Sequence, residues 1–132
     1  MIVVDTNVVA YFWLDGEQTP AAERLLDVDP DWKVPFLWRS EFRSVLAVAV
    51  KKKLCSLEEA IDVAQKAHDH LNGRELSIGS GDVLRLAAAS GCSAYDCEFV
   101  ALAQRLRVPL ITNDHQVLKA FPKVAISLER YA

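Results

Sequence analysis

Ile2-Val3-Val4-Asp5-Thr6-Asn7 decides how this chain is read. An unbroken run of β-branched residues is the pattern of a parallel strand buried on both faces. A carboxylate closes the run. Thr6 is then placed to cap a helix predicted over 7–14 and stopped near Gly16. A second apolar run, Pro109-Leu110-Ile111, ends in the same way, at Thr112-Asn113-Asp114. Open α/β sheets bind their ligands just outside the carboxyl ends of such strands.

The pattern between these two runs alternates. Thr19-Pro20 opens a helix that Pro30 closes, and Lys33-Val34-Pro35 reads as a short strand. A long helix is predicted over 38–53, with Phe42, Val45, Leu46 and Ala49 on one face. Ser56-Leu57-Glu58-Glu59 is a capping box for the next helix, which ends near Asn72-Gly73. A strand over 75–78 and a helix over 82–90, ended by Gly91, come next. Ser93 caps a helix over 94–107. Residues 108–112 form the second clear strand, 115–120 a short helix and 124–126 a last strand. Such alternation specifies a layered α/β fold with a central, mostly parallel sheet and right-handed crossovers.

Size and composition narrow the function. At 132 residues the chain is expected to be one domain, 1–132, large enough to fold on its own core. An apolar fraction of 52% argues against disorder. With a net charge of −3 there is no overall basic field, so polyanion binding would need a local patch or a metal. Cys55, Cys92 and Cys97 are odd in number and form no CxxC pair, which argues against a disulfide framework or zinc knuckle. Neither a signal peptide nor a membrane-length apolar run is seen, so a soluble cytoplasmic protein is expected.

Two more carboxylates fall on apolar helix faces. Glu41 borders the stripe containing Val45 and Val48, and Asp96 heads the stripe of Phe99, Val100, Ala103 and Leu106. If the strands before Asp5 and Asp114 are neighbours, Asp5, Glu41, Asp96 and Asp114 converge at one edge. Converging carboxylates repel, and a divalent ion relieves the repulsion. Mg²⁺ or Mn²⁺ suits oxygen ligands and supports phosphodiester hydrolysis without a histidine base. Thr6 and Thr112 are placed to orient metal waters or a phosphate, and Asn7 and Asn113 to fix neighbouring carboxylates. Each acid also has a structural reading: Asp5, Asp96 and Asp114 as caps, Glu41 as a side chain reaching to water.

The ordered set resembles the PIN domain family, and in particular its VapC-type toxins. The resemblance rests on Asp5-Thr6-Asn7, Ser40-Glu41-Phe42, Ala94-Tyr95-Asp96 followed by Val100-Ala101-Leu102-Ala103, and Pro109-Leu110-Ile111-Thr112-Asn113-Asp114. It implies a three-layer α/β/α sandwich and an Mg²⁺- or Mn²⁺-dependent endoribonuclease. Asp5, Glu41, Asp96 and Asp114 would then be metal-binding catalytic residues, with Thr6 and Asn113 in supporting places. It also implies a homodimer, silenced by a VapB-type antitoxin. The alternatives are a PIN-domain nuclease outside toxin–antitoxin pairs and a non-catalytic α/β protein-binding module.

Arg39 and Arg43 flank Glu41 and are the candidate phosphate contacts. Lys51-Lys52-Lys53 reads first as a solvated helix end. Tyr11, Phe12 and Trp13 load the first helix on more than one side, which motivates a partner surface. Trp13 and Trp38 are expected in core or interface rather than stacked on bases. His68 and His70, two apart on a helix, are not a metal pair, and His115 stays outside the catalytic set.

Overall fold

In the computed structural model, which describes residues 1–132, strands and helices alternate as the apolar pattern requires. β1 (Ile2–Val4) leads into α1 (Thr6–Trp13) and α2 (Thr19–Val28). β2 (Trp32–Pro35) is followed by α3 (Trp38–Lys51) and α4 (Leu57–Leu71). β3 (Glu75–Leu76) precedes α5 (Ser80–Ser90) and α6 (Ala94–Leu106). β4 (Leu110–Ile111), α7 (His115–Ala120), β5 (Ala125–Ile126) and α8 (Leu128–Tyr131) complete the chain.

Every strand pairing is parallel, in the order β3-β2-β1-β4-β5. The chain builds outward from β1 through β2 to β3, then returns to place β4 on the other side of β1. The winding therefore reverses between β1 and β4. Such a switch point leaves a crevice at the carboxyl ends of the two strands. Val4 lies opposite Ile111, so both strands end at the same level, directly before Asp5 and Thr112.

Helices α1 to α4 pack among themselves, whereas α5 pairs with α6 and α6 lies across β1, β2 and β4. The result is the α/β/α sandwich expected from sequence. Ile2, Val3 and Val4 are fully buried, as are Trp32, Trp38, Phe42, Leu25 and Leu71. Each such side chain contributes roughly 1.5–3 kcal/mol by leaving water. The central strands are thus held by apolar burial, while their polar ends stay at the sheet's edge. No helix is long and apolar enough to cross a membrane.

Local differences from the sequence expectation have physical reasons. Asp5, not Thr6, caps α1: its carboxylate accepts the Thr6 N–H at 2.8 Å. The Thr6 hydroxyl is instead drawn to a partner on α3. Thr19 does not cap α2 either, since its hydroxyl donates to the Tyr11 carbonyl and ties α2 to α1. The capping box at Ser56 and Glu59 is present in full. Gly91 ends α5 at φ 73°, a left-handed conformation that favours glycine. α8 was not anticipated, because four residues are too few to show a helical period.

Phe12 and Trp13 turn inward. Phe12 meets Trp13, Trp32 and the ring of His70 at centroid distances of 5.1, 5.9 and 6.2 Å. His68 packs edge-on against Trp38 instead, so the two histidines do point apart. All three cysteines are free thiols.

Candidate active site

The crevice at the switch point is a cavity of about 420 Å³. Asp5, Thr6 and Asn7 enter it from the β1–α1 junction, and Asp114 from the head of α7. Asp96 lies in the first turn of α6, and Glu41 in the first turn of α3. All four acids proposed from the sequence line this one cleft, although Glu41 and Asp96 arrive on helices from the two opposite layers.

Buried hydroxyls fix the acids. Asp5 Oδ2 accepts the Thr112 hydroxyl at 2.7 Å, while Oδ1 serves as the helix cap. The Thr112 hydroxyl in turn accepts the backbone N–H of Asp114 at 3.0 Å. Thr6 donates to Glu41 Oε1 at 2.7 Å. Thr6 and Thr112 are 3% and 0% exposed, so neither hydroxyl is free to exchange its partner for water. Asp114 Oδ1 accepts the N–H groups of Gln116 and Val117, which caps α7. Ser93 accepts the Asp96 N–H at 3.0 Å, and Gln116 donates to the Gly91 carbonyl. That second bond ties the loop before α6 to α7 and so holds Asp96 beside Asp114.

The electrostatics of the cleft are uncompensated. Burial pushes the Asp5 carboxyl above the usual aspartate range; the Thr112 and Thr6 hydrogen bonds oppose this, and Asp96 and Asp114 add to it. Glu41 is also raised by burial, against the Thr6 hydrogen bond and with repulsion from Asp5, Asp96 and Glu98. Asp96 is raised by burial and by Asp114. No lysine, arginine or histidine lines the cleft, and none of the ion pairs in the chain involves its acids.

A hard divalent cation fits this donor set, which offers carboxylate oxygens and nothing else charged. No three side chains are drawn together tightly enough to cage an ion by themselves. Mg²⁺ tolerates that spacing, because it keeps several waters and takes only one or two carboxylates directly. Asp5, Glu41, Asp96 and Asp114 are the residues that would hold it.

Other predicted positions are arranged differently. Thr112 and Thr6 spend their hydroxyls on Asp5 and Glu41, so they position acids rather than waters or phosphate. Asn7 lines the cleft. Asn113 fixes no carboxylate: its Oδ1 accepts the Leu128 N–H and anchors α8. Arg39 binds Glu75 through two nitrogens, and its stem lies outside the cleft. Arg43, two residues past Glu41, faces an apolar groove between α3 and α4. Trp38 is fully buried and donates its indole N–H to Glu75, so it stacks on no base. Ser44 lines the cleft one turn beyond Glu41, a place that helical spacing marks but a search for acids passes over.

Known proteins share the fold. The chain is 24% identical over 124 residues to Ribonuclease VapC3 of Pyrobaculum aerophilum, covering 92% of this chain and 95% of the relative. It superposes on FitAcB from Neisseria gonorrhoeae with a TM-score of 0.76 at 17% identity, covering 98% of this chain and 99% of that one. A toxin–antitoxin complex from Klebsiella pneumoniae gives 0.69 at 17% identity, covering 97% and 98%. A family model for the PIN domain matches residues 2–125, from the first residue of β1 to the first of β5. With its fold shared and nearly its whole length matched, the chain belongs to the PIN domain family.

Proposed function

We propose that this chain is a divalent-metal-dependent endoribonuclease and the toxin of a VapBC-type toxin–antitoxin pair. The observation that carries the reading is the cleft itself: four carboxylates at the switch point of a parallel sheet with no basic side chain among them, Asp5, Glu41 and Asp96 being raised in pKa. The similarity to a VapC ribonuclease and to a toxin–antitoxin complex supports the choice of substrate and partner. In this reading residues 1–132 form one nuclease domain that works in the cytoplasm as a homodimer, held inactive by a VapB-type antitoxin.

When bound, Mg²⁺ or Mn²⁺ supplies a water of lowered pKa and neutralises charge on the phosphoryl oxygens. The chain's own residues provide position. Asp5 has both oxygens oriented by fixed donors, each with a lone pair still free. Glu41 lines the cleft, held through Oε1, and makes no hydrogen bond through Oε2. Asp114 likewise caps α7 with one oxygen and keeps Oδ2. Asp96 stands on the facing helix, so the four acids approach a scissile phosphate from both layers of the sandwich. A PIN-domain nuclease outside toxin–antitoxin pairs uses the same chemistry; co-purification with a small neighbouring gene product separates the two.

The test is cleavage of single-stranded RNA by purified protein. Activity is expected with Mg²⁺ or Mn²⁺, absent in EDTA and restored by the metal. Asp96→Asn should lower it about 100-fold or more, since a metal's charge stabilisation is worth several kcal/mol. Cleavage that survives both EDTA and Asp96→Asn would contradict the proposal.

A further inference from the structure

Beside the acidic cleft lies a second, larger cavity of about 750 Å³, bounded by α1, the turn into α2, α2 itself, α7 and α8. The two follow one another along the same edge of the sheet. Asn7 lines the first and Tyr11 the second, and residues four apart share one face of α1. Asp114 lines the first, while its chain neighbours Asn113 and His115 line the second. An extended polymer whose phosphate lies among the acids therefore passes an adjoining unit into the second cavity.

The linings differ in kind. The acidic cleft carries no basic side chain and no aromatic ring, whereas the second cavity mixes charge and ring. Arg24 enters it and makes no ion pair within the chain. Tyr11 brings a half-exposed aromatic ring. Asn113 has spent its carbonyl oxygen on Leu128, which leaves its NH₂ group as a donor. Glu17 and Glu129 add carboxylates. A path for phosphates alone would not carry two acids. Their presence beside an arginine and a tyrosine suits a whole nucleotide: guanidinium to phosphate, ring to base, carboxylate to base N–H donors.

We infer that this second cavity is the subsite for the nucleotide flanking the scissile phosphate, and that Glu17 and Glu129 select guanine, whose N1–H and exocyclic amino group lie side by side on its pairing edge. The inference rests on the ribonuclease reading. Arg24 and Tyr11 then set affinity, and the two glutamates set preference, because a carboxylate accepts both adjacent N–H groups of guanine, whereas adenine, cytosine and uracil each set an acceptor beside their donor.

The experiment uses short single-stranded RNAs that differ only in the nucleotide beside the mapped cut. Wild type with Mg²⁺ or Mn²⁺ should prefer guanine there over adenine, cytosine and uracil by about tenfold in kcat/KM. Changing Glu17→Gln together with Glu129→Gln should bring that ratio close to one. Tyr11→Ala or Arg24→Ala should raise KM about tenfold with a much smaller change in kcat. Titration of the intact protein with guanosine 5′-monophosphate should shift the NMR signals of Tyr11 and His115, which checks the subsite without turnover. A wild type that cleaves RNA, with preference and KM unmoved in all of these variants, overturns the inference and leaves the nuclease standing. Variants that change the sedimenting mass but not preference or KM assign the cavity to a protein contact, which also overturns it. A wild type that cuts no RNA under either metal removes the nuclease reading first and the subsite with it.

Discussion

Glu75 on β3 and Asp5 at the end of β1 are both drawn out of water, yet their surroundings push them in opposite directions. The Glu75 side chain is 6% exposed and is met by the Arg39 guanidinium and the Trp38 indole N–H. The Arg39 hydrogen bonds hold its carboxyl below the usual glutamate range, against the effect of burial. Asp5 meets only neutral donors, Thr112 and Thr6, and burial holds it above the usual range. An acid that completes the fold has been given a cation. An acid left without one is poised to bind a cation from outside.

Replacing Asp5 should show that contrast most strongly. Asp5→Asn keeps an oxygen to cap α1 but removes the charge, so RNA cleavage should fall about 1,000-fold. The same variant should melt higher than wild type in EDTA, because an uncompensated buried charge is gone. Calorimetry in EDTA beside a cleavage assay reads both effects. A loss of activity accompanied by a lower melting temperature would show that Asp5 serves the fold.

Glu75→Ala should act the other way. It leaves the buried Trp38 N–H without a partner and Arg39 without its acid. The cost should be about 2 kcal/mol in a urea midpoint, a figure held down because Arg39 is 41% exposed. Next in size is the pH response. The Glu75 contribution is present above its unfolded pKa, near the ordinary 4.5, and is lost as pH falls through its lowered folded value. The raised carboxyls of Asp5, Glu41 and Asp96 behave in reverse: their stabilising part is present in acid and is lost as pH rises through their folded values. Metal-free Asp5→Asn should therefore gain on wild type as pH rises from 4 to 7, by about 1 kcal/mol. Urea titrations at several pH values check the sign.

On cleavage the smaller effect is that of Thr112→Val. It removes the hydroxyl that orients Asp5 and receives the Asp114 N–H. About tenfold in cleavage and about 1 kcal/mol in stability should be lost. A change in stability alone would mean that Asp5 holds its position without help.

The acids were legible because each stands where a periodic pattern stops or turns polar: Asp5 and Asp114 after apolar runs, Asp96 at the head of a stripe. The capping box at Ser56 and the glycine after α5 were legible for the same local reason. What the sequence hides is which polar group meets which across the fold. Thr6 reads as a cap until Glu41, far along the chain, takes its hydroxyl. Asn113 reads as a partner of the acid beside it until Leu128 takes its oxygen. Arg39 reads as a phosphate contact because its pairing with Glu75 depends on β2 and β3 lying side by side. These are contacts of long sequence separation between residue types that bond equally well to water, so no local period announces them.

The sheet's borders carry a separate consequence. β3 and β5, its outermost strands, are only two residues long. Little unpaired backbone is therefore offered along either flank, and a stray strand from another molecule finds scarcely a rung on which to start. The same economy of length that makes these strands faint in the sequence protects crowded copies of the protein from zipping together into fibrils.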